Sequence, residues 1–316
     1  MATSRTRLDF YGRLSEAFGA NARRDEPLAH HTSYRIGGPA EYFVAVEQLA
    51  DLVRAVTLAR EHGVPCLLLG AGTNVLVADR GVGGLVIRNR CRAWTLLREG
   101  EVPLVEAESG VMMPHLAQAT AAAGLAGLEW AVGVPGTVGG AVLGNAGAWG
   151  GSVAECLRRA QMLLPNGEVA WLGPGDLAYG YRASLLKGAP GQVVRGNAGV
   201  VLRATFALRA GDPAALLEAV ARYRRERLAR QPAEPSAGSV FKNPPGDYAG
   251  RLIEAAGLKG ARQGQAQISE KHANFIVNLG GARAADVLAL IELARRRVLA
   301  ATGIDLELEV QLVGDW

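Results

Sequence analysis

The run Pro235-Ser236-Ala237-Gly238-Ser239-Val240-Phe241-Lys242-Asn243-Pro244-Pro245 brings together a serine, a cation and a carboxamide between prolines that fix the approach of the chain. A serine at position 239 can donate a proton when a cation and a polar network offset its high intrinsic pKa, although a plain turn is the simpler reading of these residues alone. Leu306-Glu307-Leu308-Glu309-Val310-Gln311-Leu312 alternates, so Glu307 and Glu309 share one face, either as a functional carboxylate site or as a solvated sheet face. Two glycine-rich segments follow apolar stretches. Gly70-Ala71-Gly72-Thr73-Asn74 lacks the third glycine of a dinucleotide fingerprint and runs into a strand where that unit needs a helix. A Walker Gly-Lys-Ser/Thr is absent too, which leaves a turn of exposed N–H groups, a nest suited to an anion such as a pyrophosphate. The second segment is Gly133-Val134-Pro135-Gly136-Thr137-Val138-Gly139-Gly140-Ala141-Val142, with further glycines at 144, 147, 150 and 151. The pair suits an extended cofactor clamped between two lobes, or a set of tight turns in a β-rich domain. Ser184-Leu185-Leu186-Lys187 has the Ser-x-x-Lys spacing of serine acylases, but neither Lys-Thr-Gly nor Ser-Asp-Asn accompanies it, and chance accounts for so short a match. No His-Glu-x-x-His or paired Cys-x-x-Cys occurs, and His30, His31, His62, His115 and His272 lack ligand spacing, so no metal is expected.

These groups need elements to hold them. Periodicity predicts a short amphipathic helix over 8–19, a strand over 42–46, a helix over 49–62 closed by Gly63, and strands over 66–69 and 75–77. Short strands at 84–87 and 102–108 precede a helix over 113–123 stopped by Gly124. More strands follow at 161–164, 168–172, Val193 and 200–208. Asp212-Pro213 opens a helix to about Arg230. A final α/β segment holds a strand over 275–278, a helix over 286–300 and a strand over 306–313. Breaks near 82 and 212 divide the chain into lobes 1–82, 83–211 and 212–316.

The 316 residues are 49% hydrophobic and 20% charged, enough apolar surface for two or three cores. Glycine is in excess at 41 residues, but without a three-residue period it excludes collagen, and the long apolar segments exclude disorder. The net charge of +4 permits an anionic ligand; the basic run Arg222 to Arg230 is interrupted by Glu226, and no nucleic-acid partner is expected. Cys66, Cys91 and Cys156 are widely spaced in apolar settings and read as buried reduced thiols. With no apolar run of ~20 residues, membrane insertion is not expected. These features place the protein in the cytoplasm, and it is expected to act as a monomer.

In order along residues 28–314, seven segments resemble the UDP-N-acetylenolpyruvoylglucosamine reductase family, probable chance matches singly but not in register: 31–38, 69–77, 133–141, Tyr181-Arg182-Ala183-Ser184, 236–244, 269–278 and the terminal Leu-Glu-Leu-Glu-Val. The resemblance implies an α+β chain: an FAD-binding fold of the vanillyl-alcohol-oxidase (PCMH) type in two lobes, about 36–211 overall, plus a C-terminal α/β substrate-binding domain. The compact 151–180 region and the short linker before Ser239 resemble the shorter subclass. FAD is the implied cofactor, held by Gly70, Ala71, Gly72, Thr73, Asn74, Gly133, Pro135, Gly136, Thr137, Gly139, Gly140 and Ala146. NADPH is the implied co-substrate and the enolpyruvyl ether of UDP-N-acetylglucosamine the substrate, with hydride passing from NADPH to flavin N5 and from N5 to C3 of the ether. By the same match Arg182 and Glu309 stabilise the resulting enolate, and Ser239 protonates C2. Tyr181, Arg230, Lys242, Asn243 and Asn274 fall in the substrate-contacting neighbourhood, with the arginines of 224–230 toward the diphosphate. Leu308 stands where proline is usual, and Gln311 where a basic residue is common. The alternatives are an alcohol or sugar oxidase of the same fold and a non-catalytic nucleotide-sugar-binding protein.

Overall fold

The computed structural model describes residues 4–187 and 199–316, so the strand expected at Val193 lies outside the described residues. Helix α1 (Ser4–Phe18) leads into β1 (Ala22–Pro27), β2 (Pro39–Val46), α2 (Leu49–Glu61), β3 (Cys66–Leu69), β4 (Val75–Val77) and β5 (Val82–Asn89). Leu52, Ala55, Val56 and Ala59 give α2 one buried stripe, which packs with Tyr42, Val44, Leu85 and Ile87. The sheet order is β1-β2-β5-β3, with β2 and β3 both parallel to β5. A strand between two parallel neighbours is covered on both faces, and Gly84 to Ile87 are accordingly all buried. Since β5 is internal to this sheet, the first lobe runs through Asn89, past the break expected at 82.

The second lobe is built on an antiparallel sheet. Its elements are β6 (Trp94–Glu99), β7 (Val102–Glu108), α3 (Met113–Ala122), β8 (Leu125–Ala126), α4 (Val138–Gly144), β9 (Gly147–Ala148), β10 (Gly151–Ser152), α5 (Val153–Cys156), β11 (Leu157–Leu163), β12 (Val169–Leu172), β13 (Val200–Ala207) and β14 (Arg209–Ala210). The five long strands run in the order β12-β11-β13-β7-β6. Helix α4 lies inside the second glycine-rich segment, where low helix propensity hides it from sequence reading. Packing decides its state: Val138, Ala141 and Val142 are buried, and Thr137 Oγ1 accepts the Gly140 N–H at 3.5 Å. Helix α6 (Pro213–Arg230) starts on an Asp212 cap and places Leu216, Leu217, Val220 and Tyr223 on the second core. The break expected at 212 therefore precedes a helix that packs backward, and the third core is built from the residues beyond it.

That third lobe contains α7 (Ala249–Ala255), β15 (Arg262–Gln263), β16 (Ala266–Ile268), β17 (Ile276–Asn278), α8 (Ala284–Thr302) and β18 (Gln311–Val313). Tyr34, Ile36 and Leu76 of the first lobe are buried within its core. The strand expected over 306–313 is shorter: only Gln311 to Val313 form a ladder, parallel to β4. Upstream the chain pairs instead with the Ser239 segment, through Lys242 N–H to Glu307 O at 2.8 Å and the Phe241–Leu308 bridge. The Val240 carbonyl accepts both Glu309 N–H (2.8 Å) and Val310 N–H (3.2 Å). Two successive donors on one acceptor interrupt the pleat as a β-bulge does, and the chain changes partner there.

Candidate active site

The change of partner gives Glu307 and Glu309 different surroundings. Glu307 is half exposed and meets Lys242 Nζ at 2.5 Å, whereas the Glu309 side chain is only 18% exposed. The two carboxylates therefore do not share one solvated face: Glu307 lies at the surface and Glu309 is largely enclosed. Arg182 Nε stands 3.0 Å from Glu309 Oε1, off the direction of a hydrogen bond, and is buried with no hydrogen-bond acceptor. Burial pushes the Glu309 carboxyl above the usual carboxylate range, while Arg182, Lys187 and Lys242 pull it back; burial prevails. Arg182 occupies the third position of a tight turn, closed by Gly180 N–H to Ala183 O (3.1 Å) and Ala183 N–H to Gly180 O (3.2 Å). Its φ is +54°, a conformation that costs a residue with a Cβ roughly 1–2 kcal/mol. Asn145 Nδ2 steadies the turn by donating to Gly180 O at 2.9 Å.

Ser239 is half-buried, between Gly238 at φ +77° and the Val240 carbonyl that holds Glu309. Asn274 fixes this segment. Its Oδ1 accepts from Phe241 N–H (2.9 Å), its Nδ2 donates to Phe241 O (2.8 Å), and its backbone carbonyl accepts from Val240 N–H (2.8 Å). At 3% exposure, Asn274 serves the backbone beside Ser239 instead of facing a ligand as expected. Asn243 is exposed, and its Oδ1 accepts from Ala249 N–H at 3.1 Å, at the start of α7. Tyr181 is exposed, with the Arg182 guanidinium 5.7 Å from its ring. Arg230 is exposed at the end of α6, while Arg227 turns inward and donates to the Gly133 carbonyl.

The two glycine-rich segments converge on each other. A Cβ at Gly70 would stand 2.5 Å from Thr137 Oγ1, and one at Gly136 would reach Thr73 Oγ1 at 3.6 Å. Asn74 links the first loop to the acidic site, its Nδ2 donating to Glu309 O at 3.1 Å and its carbonyl accepting from Gln311 N–H at 3.0 Å. Ala71 and Thr73 are half-buried in the same loop, and Pro135 and Ala146 in the other. Beneath Gly70 lies Arg88, which donates to the carbonyls of Gly70 and His31 (3.2 Å for the latter) and keeps a buried Nε without an acceptor. Burial pulls it down to about 10, so it is cationic at neutral pH. Facing loops over a buried cation fit a dinucleotide's diphosphate. Not every glycine serves that fit. Gly133 is covered by the Trp149 ring, which a Cβ would meet at 1.7 Å, and Gly139 abuts Ser109 Cβ at 2.9 Å; both owe their identity to internal packing. Arg88 and Asn145 escaped sequence reading, and Lys187 entered it only as part of the Ser-x-x-Lys spacing. For Arg88 a signal existed, a cation at the end of the apolar run Leu85-Val86-Ile87.

Comparison with known proteins agrees with this geometry. Residues 40–173 match a family model described as FAD binding domain, and residues 231–313 match one described as UDP-N-acetylenolpyruvoylglucosamine reductase, C-terminal domain. A UDP-N-acetylenolpyruvoylglucosamine reductase of Rubrobacter xylanophilus is 48% identical over 96% of this chain and 99% of its own length. The protein of that name in Chloroflexus aurantiacus is 49% identical over 92% of this chain and 96% of its own. The crystal structure of the Thermus caldophilus UDP-N-acetylenolpyruvylglucosamine reductase superposes with a TM-score of 0.74 at 38% identity, covering 91% of this chain and 97% of that one.

Proposed function

Because the chain belongs to the UDP-N-acetylenolpyruvoylglucosamine reductase family, an FAD-dependent group of oxidoreductases in peptidoglycan synthesis, we propose that it reduces the enolpyruvyl ether of UDP-N-acetylglucosamine to UDP-N-acetylmuramate with NADPH as the reductant. FAD, when bound, would take a hydride from NADPH and pass it to C3 of the ether, leaving C2 to receive a proton. The facing loops 70–74 and 135–140, with Arg88 beside them, would hold its diphosphate, and residues beyond 230 would form the substrate-binding domain.

The observation that carries the reading is the half-buried Arg182–Glu309 contact beside the Ser239 segment, assembled from three distant parts of the chain. As C3 is reduced, negative charge develops on C2 and spreads into the substrate carboxylate. Arg182 supplies a fixed positive charge there, and Glu309, whose neutral form burial favours, donates a hydrogen bond to the same oxygens when it carries its proton. Donors fixed before the reaction need no reorganisation, which is why such groups lower barriers more than mobile water does. Ser239 then gives its proton to C2, and Lys242, adjacent to this segment, supplies the cation that eases loss of that proton. Tyr181 and Arg230, both exposed, are left to meet the distal nucleotide. Turnover in D2O tests the assignment: the product should carry solvent deuterium at C2, and S239A should lose this step while NADPH still reduces the flavin. A product without deuterium at C2, or an S239A enzyme with full turnover, refutes it.

A further inference from the structure

The Ser184–Lys187 pair, an unexplained spacing in the sequence, has a definite arrangement in the fold. Lys187 N–H donates to Ser184 O at 3.1 Å, which turns the chain back on itself. Ser184 is buried, and its Oγ donates to Leu143 O at 2.5 Å near the end of α4. The turn returns the Lys187 ammonium to the carbonyl of Arg182, to which Nζ donates at 2.9 Å. Lys187 thus grips the backbone of a site residue held at positive φ, while Ser184 and Asn145 anchor the same loop. Together these hydrogen bonds, one of them from a charged donor, offset the backbone strain at Arg182.

We infer that Lys187 is a positioning residue for the reductase site: its ammonium holds the Arg182 turn so that the guanidinium stays against Glu309, and its charge adds to the positive field there. Glu309 faces Arg182 and Lys187 from this loop and Lys242 from the Ser239 segment, while Glu307 faces Lys187 and Lys242. Among the described residues, three cations against two carboxylates leave the cup net positive, and more so when Glu309 is protonated. Such a cup suits a substrate carboxylate. Ser184 and Lys187 are therefore not a nucleophile and base, since the serine hydroxyl and the ammonium are directed to separate carbonyls.

The inference rests on the reading that Arg182 and Glu309 meet the substrate. In the FAD-loaded enzyme, K187M should lower kcat by about tenfold to a hundredfold, as expected when a charged group is displaced by ~1 Å, with flavin content and reduction by NADPH retained. K187R should restore most of the loss. K187Q keeps a donor for the Arg182 carbonyl without the charge, so it should retain more kcat than K187M. Both neutral variants should move the alkaline limb of the pH profile upward, because removing a nearby cation favours the protonated Glu309. Placed on R182A, K187M should cost less than about twofold more, since a residue acting through Arg182 has nothing left to position. A crystal structure of K187M should show Arg182 withdrawn from Glu309. K187M with wild-type kcat and an undisturbed Arg182, or a loss that adds in full to that of R182A, overturns the inference. If the underlying reading failed instead, R182A itself would leave turnover intact, and the K187M crystal structure would still decide whether Lys187 holds Arg182.

Discussion

Glu309 carries the sharpest conflict in the site, a carboxyl enclosed by protein yet facing three cations. Desolvation outweighs their attraction and holds its pKa above 4.5. The sign of the linked stability follows: with the folded pKa above the unfolded one, this group's contribution is complete below the unfolded value and is lost as pH rises through the folded value. Thermal melts across that window should therefore fall less steeply with pH for E309Q than for the wild type, and parallel curves would show an ordinary carboxyl. In turnover, E309Q should retain more activity than E309A, because an amide still donates a hydrogen bond; equal losses would remove donation as its role. S239A should lower kcat for enolpyruvyl reduction by roughly 10²–10⁴, the usual share of a positioned proton donor, with little change in anaerobic reduction by NADPH. A stopped-flow comparison of the two half-reactions separates these outcomes. Little of this chemistry was legible residue by residue. Glu307 and Glu309 alternate as if equivalent, and only the doubled acceptance at the Val240 carbonyl, a long-range contact, makes them differ.

Strands and loops were easier to read than the reasons for their glycines. Hydrophobic period alone outlines β3, β4, β7 and α6, while α4 is hidden by glycines that tertiary packing overrides. A glycine-rich loop next to a strand reads as a cofactor loop in general, but composition does not separate Gly70, pressed against Thr137, from Gly133, pressed against Trp149. The contact at Gly70 yields a direct test. G70A should force the two loops apart and weaken FAD binding by about tenfold or more, as overpacking costs of roughly 1–3 kcal/mol imply. T137A removes the obstructing hydroxyl at the loss of a helix cap worth about 1 kcal/mol, so G70A/T137A should bind FAD no worse than T137A alone. Flavin-fluorescence titration of the three variants checks this, and fully additive losses would place the strain elsewhere. R88M should also loosen FAD, since it frees the Gly70 carbonyl and removes the buried charge below the loop.

At the scale of the molecule, the site draws on all three lobes, and side chains of the first tie it to the third. Tyr34 Oη donates to Ile276 O at 2.8 Å, Ser33 Oγ to Ser236 O at 2.7 Å, and the Asp79 carboxylate accepts from Ala284 and Ala285 N–H at 2.8 and 3.0 Å, capping α8 from another lobe. D79A should lower Tm by about 1–2 °C, the shift a cap of roughly 1 kcal/mol implies in a chain of this size, and an unchanged Tm would mean that water replaces the cap. Such pairings span more than 200 residues, so no local pattern announces them; what the sequence did show was the order of the motifs that converge. The account stands or falls on one anaerobic experiment with the FAD-loaded protein. NADPH should bleach the flavin absorbance, and the colour should return only when the enolpyruvyl ether of UDP-N-acetylglucosamine is added, with UDP-N-acetylmuramate formed in equal amount. A flavin that stays bleached after that addition, or that NADPH never bleaches, contradicts it.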